Sequence, residues 1–344
     1  DKLKSLGIYD STLIIITGDH GESLGEHSEA THAYFIYDAT VKVPLIFKLP
    51  GKRQRRRIDD LVGLVDIAPT VCSLLGIDSL PEVQGRDLSQ YFKGNDGINK
   101  ERHIYCESMT PTKYNCSSLL GVVTRRFKYI QAPRPELYDL IEDPDEIKNL
   151  AESLPQRARI MQDRLKRIVE QSVRKGGSGS QLKLDDEARR KLESLGYVAG
   201  DGVKEDFEFD QTRDDPKDFI EFYQIHSQLV VRIHKEEYDI AKGLCQKLLD
   251  QRPDFASGHL NMSRILQAEG DPNKAREHLE ECLRLDPDNT DAHNNLAMIF
   301  LDKGRLDQAI AHFSEALKYN PSYLHAINNL GSVFLRHGEI DKAN

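Results

Sequence analysis

The sequence predicts two fold classes in one chain: an α/β portion with a small antiparallel sheet, followed by an all-α solenoid of helical hairpins. Three observations predict them. Short β-branched runs alternate with helical patterns through the first hundred residues, as at 12–16 and 43–47. Turn-punctuated short runs then crowd residues 101–145. A period of 34 residues marks the last third of the chain.

The elements follow in order. Residues 12–16 (TLIII) read as a fully buried strand and 43–47 (VPLIF) as a second. Residues 60–75 hold a short strand and then a helix entered through Asp66 and Pro69 and ended by Gly76. Four short strands follow at 103–107, 119–124, 127–131 and 136–139, separated by Gly121, by Pro133 and Pro135, and by the Asp143–Pro144 turn. Residues 155–174 form a charged amphipathic helix with Leu154, Ile160, Leu165 and Ile168 near one face. The α/β part with its small sheet therefore spans 1–174 and a linker with a short helix at 185–195 spans 175–217. The repeats fill 218–344, the last one truncated.

In the repeats, Pro253, Pro287 and Pro321 stand 34 apart, as do Gly270, Gly304 and Gly338, and Ala241, Ala275, Ala309 and Ala343. Met262, Leu296 and Leu330 share one phase, and Leu266, Phe300 and Phe334 another. Small residues let two helices approach, large ones fill the gap, Gly ends the first helix and Pro stops the second. One hairpin cannot bury its own apolar face, so the units stack. In the first unit Glu236 replaces the glycine and Arg232 stands where a large apolar residue belongs. These columns resemble the tetratricopeptide repeat (TPR) family, which implies a groove, lined by the first helices, that takes a protein or peptide partner. Asn261, Asn295 and Asn329, with Asn294 and Asn328, fall on those helices.

Composition excludes some functions. A net charge of -9 argues against general nucleic-acid binding, and the one basic run, KRQRRR at 52–57, reads as a solvated loop. No apolar run reaches the ~18 residues of a membrane-spanning helix. The five cysteines show no CxxC pair or zinc spacing; Cys245 and Cys282 fall on apolar helix faces, and Cys106 and Cys116 can pair only if the strands bring them together.

The chemistry sits just after the first strand, in TGDHGESLGEH at 17–27. Asp19 and His20 leave the carboxyl end of that strand, where α/β sheets place ligands, and can share one metal ion. His27 and His32 follow, so four such groups lie within 14 residues. TGDHGESLGEHSEATH, YDATVKVPLIF, VDIAPTVCSLLGI, QGRDL, ELYDLIEDPDEIKNLA and LESLGYVAG resemble the C-terminal signature of the sulfatases of the alkaline phosphatase superfamily, over most of residues 1–200.

The resemblance implies a divalent metal, usually Ca2+, with Mn2+, Mg2+ or Zn2+ also suited to such ligands. Asp19 and His20 match two of its ligands, and the sulfate-ester substrate is the implied partner. Two further ligands and a formylglycine nucleophile from a C/S-x-P-x-R motif complete the family site. None of the five cysteines has proline two residues on, so they are expected upstream of Asp1, and the 344 residues alone are expected to show no turnover. His32 falls where many members carry a substrate-contacting lysine and is a candidate to bind sulfate oxygen or protonate the leaving group; His27 is a second catalytic candidate. Glu22 and Glu26 read as groups behind the ligands or at the surface. The resemblance also leans toward a periplasmic or secreted setting. A phosphodiester or phosphonate monoester hydrolase of the same superfamily is the alternative. A TPR scaffold with an inactive hydrolase remnant is another.

Overall fold

The computed structural model describes residues 2–51, 55–78, 83–95, 102–175 and 213–337, so the expected helix at 185–195 lies outside the described residues. They divide into two compact units, the first including residues 213–220 and the second beginning at Glu221.

In the first unit, α1 (Lys2–Ser5) precedes β1 (Ile14–Thr17), which pairs antiparallel with β2 (Leu45–Lys48), Ile16 standing opposite Ile46. The run expected to be fully buried is not: Ile16 is 56% and Ile46 53% exposed. Among the described residues this sheet has two strands, which leaves that face without a covering layer. The connection between the strands carries the candidate site and α2 (Asp38–Val41).

α3 (Ile67–Leu75) ends at Gly76, whose φ of 65° only glycine adopts readily. The short strand expected before it does not form. The Asp66 carboxylate accepts the N–H groups of Gly63 (2.8 Å) and Arg86 (2.8 Å), which folds the segment into a turn instead of a ladder.

The small sheet forms as expected, with β3 (Ile104–Ser108), β4 (Leu119–Val123), β5 (Phe127–Gln131) and β6 (Glu136–Asp139) antiparallel in that order. α4 (Pro155–Lys175) covers one face, Met161, Leu165 and Val169 packing on Leu120, Val122, Tyr129 and Leu137. The apolar stripe thus runs through Ala158, Met161, Leu165 and Ile168, and Leu154 and Ile160 are exposed, contrary to the face read from sequence. On the opposite face Gly121 makes room for the segment leading to α2. A Cβ there would sit 2.9 Å from Ile36 Cδ1 and 2.7 Å from Cys106 Sγ.

Among the described residues the second unit is a run of seven helices: α5 (Ile220–His234), α6 (Tyr238–Gln251), α7 (Ala256–Ala268), α8 (Pro272–Leu285), α9 (Thr290–Asp302), α10 (Leu306–Tyr319) and α11 (Leu324–His337). The small column is fully buried at Ala241, Ala275 and Ala309, with Met262, Leu266, Leu296 and Phe300 buried beside it. Gly270 and Gly304 turn between helices with φ of 81° and 70°; Glu236 does the same at 58°. Cys245 and Cys282 are buried core thiols, each pushed up to about 12 by burial. Cys106 and Cys116 are not joined in a disulfide.

Candidate functional site

The site is built on the loop leaving β1. Gly21 lies so close to α2 that a Cβ would fall 2.2 Å from the Ala39 carbonyl oxygen, and its N–H donates to Thr40 O at 2.8 Å. No side chain fits there, so the loop is pinned just after His20. The Asp19 carboxylate accepts the His20 N–H at 3.1 Å, and its Oδ1 lies 3.8 Å from His20 Nε2. His20 Nδ1 is 2.7 Å from Gly21 O, a bond that puts the proton on Nδ1 and presents Nε2 as the ligating atom.

The chain then returns. Ser23 N–H donates to Thr31 O (2.8 Å), Glu26 accepts from Leu24 N–H (2.6 Å), and buried Glu29 accepts from Tyr34 N–H (2.8 Å) and Phe35 N–H (3.1 Å). Burial pushes the Glu29 carboxyl up to about 7, while the Leu24 N–H holds Glu26 below the usual carboxylate range. This closed loop carries His32 back over His20, the rings stacked with centroids 3.9 Å apart. Glu22 Oε2 meets His32 Nδ1 at 2.9 Å.

His20, Glu22 and His32 each offer a ligand atom within 4.8 Å of the others. Donors on one cation stand no farther apart than twice a metal–ligand bond of about 2.0–2.5 Å, so this trio and the Asp19–His20 pair both meet the requirement. Two carboxylates and two imidazoles are a chemically apt donor set for a divalent ion. Asp19 is far more open than His20, with side chains 85% and 31% exposed.

His27 is held elsewhere. With a φ of 51° it stacks on Tyr37 at 3.5 Å and places Nε2 3.1 Å from Asp145 O, and burial lowers its pKa. It ties the loop to the segment after β6. Glu22, read from sequence as a surface or supporting group, stands with the ligand-competent atoms. Its spacing of two from His20 was the available signal, obscured by a turn that nothing in the sequence specifies.

Sequence reasoning also missed the support beneath the loop. Tyr37 and Tyr138 hydroxyls donate to Glu136, which accepts Lys217 Nζ at 2.7 Å. Ser108 Oγ donates to Ala33 O (2.6 Å), and Tyr34 OH to Pro216 O (2.9 Å). Lys128, fully buried, lies 3.0 Å from Asp38 and 2.9 Å from Glu146. Burial alone would lower its pKa, but those two carboxylates outweigh it and hold the ammonium above its usual value. A cavity of about 1110 Å3 lies along β2, lined by Lys4, Tyr9, Lys48, Arg56 and Phe92, and includes none of the donor residues.

Residues 25–175 match the family described as N-sulphoglucosamine sulphohydrolase, C-terminal, and residues 260–322 and 300–343 match the tetratricopeptide repeat. The first match begins six residues after Asp19. The chain is 30% identical over 200 residues to a Delta 4,5-hexuronate-2-O-sulfatase of Bacteroides thetaiotaomicron, covering 56% of this chain and 41% of that protein. It is 30% identical over 179 residues to arylsulfatase K of Bos taurus, covering 48% and 32%. It thus spans between a third and two fifths of the curated relatives it matches. Among solved structures, a 2-O GAG sulfatase aligns with a TM-score of 0.44 at 28% identity, over 54% of this chain and 42% of that one. MamA aligns with a TM-score of 0.31 at 28% identity, over 33% and 66%.

Proposed function

Since residues 25–175 belong to the C-terminal part of the sulfatase family and residues 260–343 to the tetratricopeptide repeats, we propose that this chain is the part of a metal-dependent sulfuric ester hydrolase that supplies half of its metal shell, fused to a protein-binding array. The observation that carries the reading is the meeting of His20, Glu22 and His32 on the loop after β1, with Asp19 Oδ1 3.8 Å from His20 Nε2. Asp19 and His20 would hold the ion. The oxygen donors Asp19 and Glu22 favour Ca2+, Mg2+ or Mn2+, the imidazoles also suit Zn2+, and the sulfatase resemblance favours Ca2+. Such an ion, when bound, neutralises the sulfate oxygens that otherwise repel a nucleophile.

The remaining roles belong to the chain's own side chains. His32 is the proposed proton donor to the leaving alcohol or a ligand for a sulfate oxygen. Glu22, at 2.9 Å from its Nδ1, would orient the ring and fix which nitrogen faces the substrate. His27 positions the loop through Asp145 O and Tyr37. In the array, the first-helix asparagines line the proposed peptide groove. Asn329 Nδ2 donates to Asn294 Oδ1 at 3.1 Å, which sets the orientation of successive carboxamides.

The test is turnover of an aryl sulfate and an aryl phosphate by the complete gene product, with and without chelator, in the native protein and in Asp19→Ala. Hydrolysis of the sulfate that falls at least 100-fold with either treatment is expected. A preference for the phosphate makes the chain part of a phosphate-ester enzyme instead. Hydrolysis indifferent to Asp19→Ala overturns the metal assignment, and no hydrolysis of either ester leaves the array as the working part.

A further inference from the structure

A buried ion pair lies at the other end of β3, away from the metal loop. Arg102 is buried, its side chain 4% exposed, and its Nη2 donates to Asp66, itself fully buried. Asp66 already accepts the N–H groups of Gly63 and Arg86. The second amino nitrogen, Arg102 Nη1, is buried with no hydrogen-bond partner among the described residues. A guanidinium group left with an unmet donor away from water is costly, and in native structures such a group calls for a partner.

That arginine lines a cavity of about 190 Å3 together with His103, Thr124, Phe127, Arg157, Met161 and Arg164. Among the described residues no carboxylate lines it. Arg157, Met161 and Arg164 lie on one face of α4, with buried Met161 between the two arginines. Phe127 fixes Arg157, the guanidinium lying 5.0 Å from the ring centroid. At about 30 Å3 per water, the space equals roughly six waters, enough for a tetrahedral oxyanion and its remaining hydration.

We propose that this cavity is an oxyanion site, binding sulfate or phosphate either free or as a terminal ester group. Three guanidinium groups supply forked donors, the geometry that suits such oxygens. Among the described residues only one of the three charges is matched, by Asp66 behind the cavity wall. The site is separate from the metal loop. β3 runs from this cavity to Ser108, which donates to Ala33, a span of five residues or about 17 Å.

The test is calorimetric titration of the whole 344-residue chain with inorganic sulfate, inorganic phosphate and a monosaccharide sulfate ester, at constant ionic strength set with chloride and with chelator present. The obvious variant, Arg102→Ala, would leave Asp66 buried and unpaired and unfold the unit, so the exposed arm is removed instead with Arg157→Gln and Arg164→Gln together. Saturable binding that weakens at least tenfold in this double variant, and is unchanged in Asp19→Ala, is expected. Binding of the free ions alone makes the site one for inorganic oxyanion; binding of the ester as well makes it a docking point for a sulfated ligand. Heat that tracks ionic strength alone, or binding equal in the native chain and the double variant, overturns the proposal. Because Asp19→Ala is included, failure here and failure of the hydrolase reading are told apart.

Discussion

Each of the two units is held together internally by its own kind of contact. The first relies on polar partners far apart in the chain: Tyr37 with Glu136, Asp38 with Lys128, Tyr34 with Pro216. The array relies on apolar neighbours one helix or one repeat away, such as Ala275, Leu279 and Cys282, each fully buried. A long-range polar network gives one specific arrangement of irregular loops, as a site needs. Repetition of short-range packing gives a surface that can be lengthened without redesign. The price of the first solution is brittleness. Removing one member of a buried ion cluster leaves the others charged and unpaired.

That contrast breaks most visibly at Lys128. Lys128→Met leaves Asp38 and Glu146 facing each other without their shared cation, and breaking a buried pair in this way destabilises by about 3–5 kcal/mol. Urea unfolding followed by hydrogen exchange in β3–β5 is the measurement. Adding Asp38→Asn and Glu146→Gln to the same chain should restore part of the loss, because the burden is the unpaired charge and not the missing methylenes. No recovery in the triple variant would mean that the lysine acts through packing.

In the array the corresponding lesion is apolar. Leu279→Ala empties a fully buried position in α8 and should cost about 2–5 kcal/mol. Its effect on amide exchange should be confined to α8 and the helices that touch it. Exchange that rises equally through all the described helices of the array would show long-range cooperativity and erase the contrast.

A smaller effect follows from the histidines that recur with the repeat. His259 and His278 bring their Nδ1 atoms to 2.9 Å, and His293 and His312 to 3.0 Å. His259 Nε2 lies 2.9 Å from Pro253 O and His293 Nε2 3.1 Å from Pro287 O, so in each pair the first-helix Nδ1 accepts and the second-helix Nδ1 donates. Burial first, and then the facing imidazole, lowers His278 and His312 below 6.5, against neighbouring Glu277, Glu281 and Glu315. A lowered pKa means that the unfolded chain binds more protons below pH 6.5. Stability is therefore full above that pH and is lost as pH falls toward the folded values. Thermal melts should show Tm falling between pH 7.5 and 5, and His278→Gln with His312→Gln should flatten that slope. An unchanged slope would assign the acid sensitivity to other groups.

Legibility in the sequence follows the same division. The repeat columns at Ala241, Ala275 and Ala309 were readable because each residue's environment recurs, so period alone identifies the core. The small sheet was readable because Gly, Pro and Asp-Pro turns bracket its strands. Asp19 and His20 stood out as candidates because they follow a strand directly. Glu22, Glu29 and Lys128 were not, because their partners are set by loop closure or lie 90 or more residues away, as with Lys128 and Asp38. Burial of β1 was misread for a related reason. A β-branched run reports what a strand is suited to, whereas coverage depends on strands and layers elsewhere.

The finest test of the comparison is at the turn between α5 and α6. Glu236 holds a φ of 58° where the next two repeats have Gly270 at 81° and Gly304 at 70°. A left-handed backbone puts a Cβ too close to the following carbonyl, at roughly 1–2 kcal/mol for a residue other than glycine. Glycine removes that strain but gains about 0.5–1 kcal/mol of freedom in the unfolded chain. The Glu236 side chain is exposed, so little else is lost. Glu236→Gly should therefore stabilise the array by about 0.5–1 kcal/mol, seen as a rise in its urea midpoint at constant slope. A fall in the midpoint would show that Glu236 makes a contact worth more than its strain, and that the first repeat obeys rules of its own.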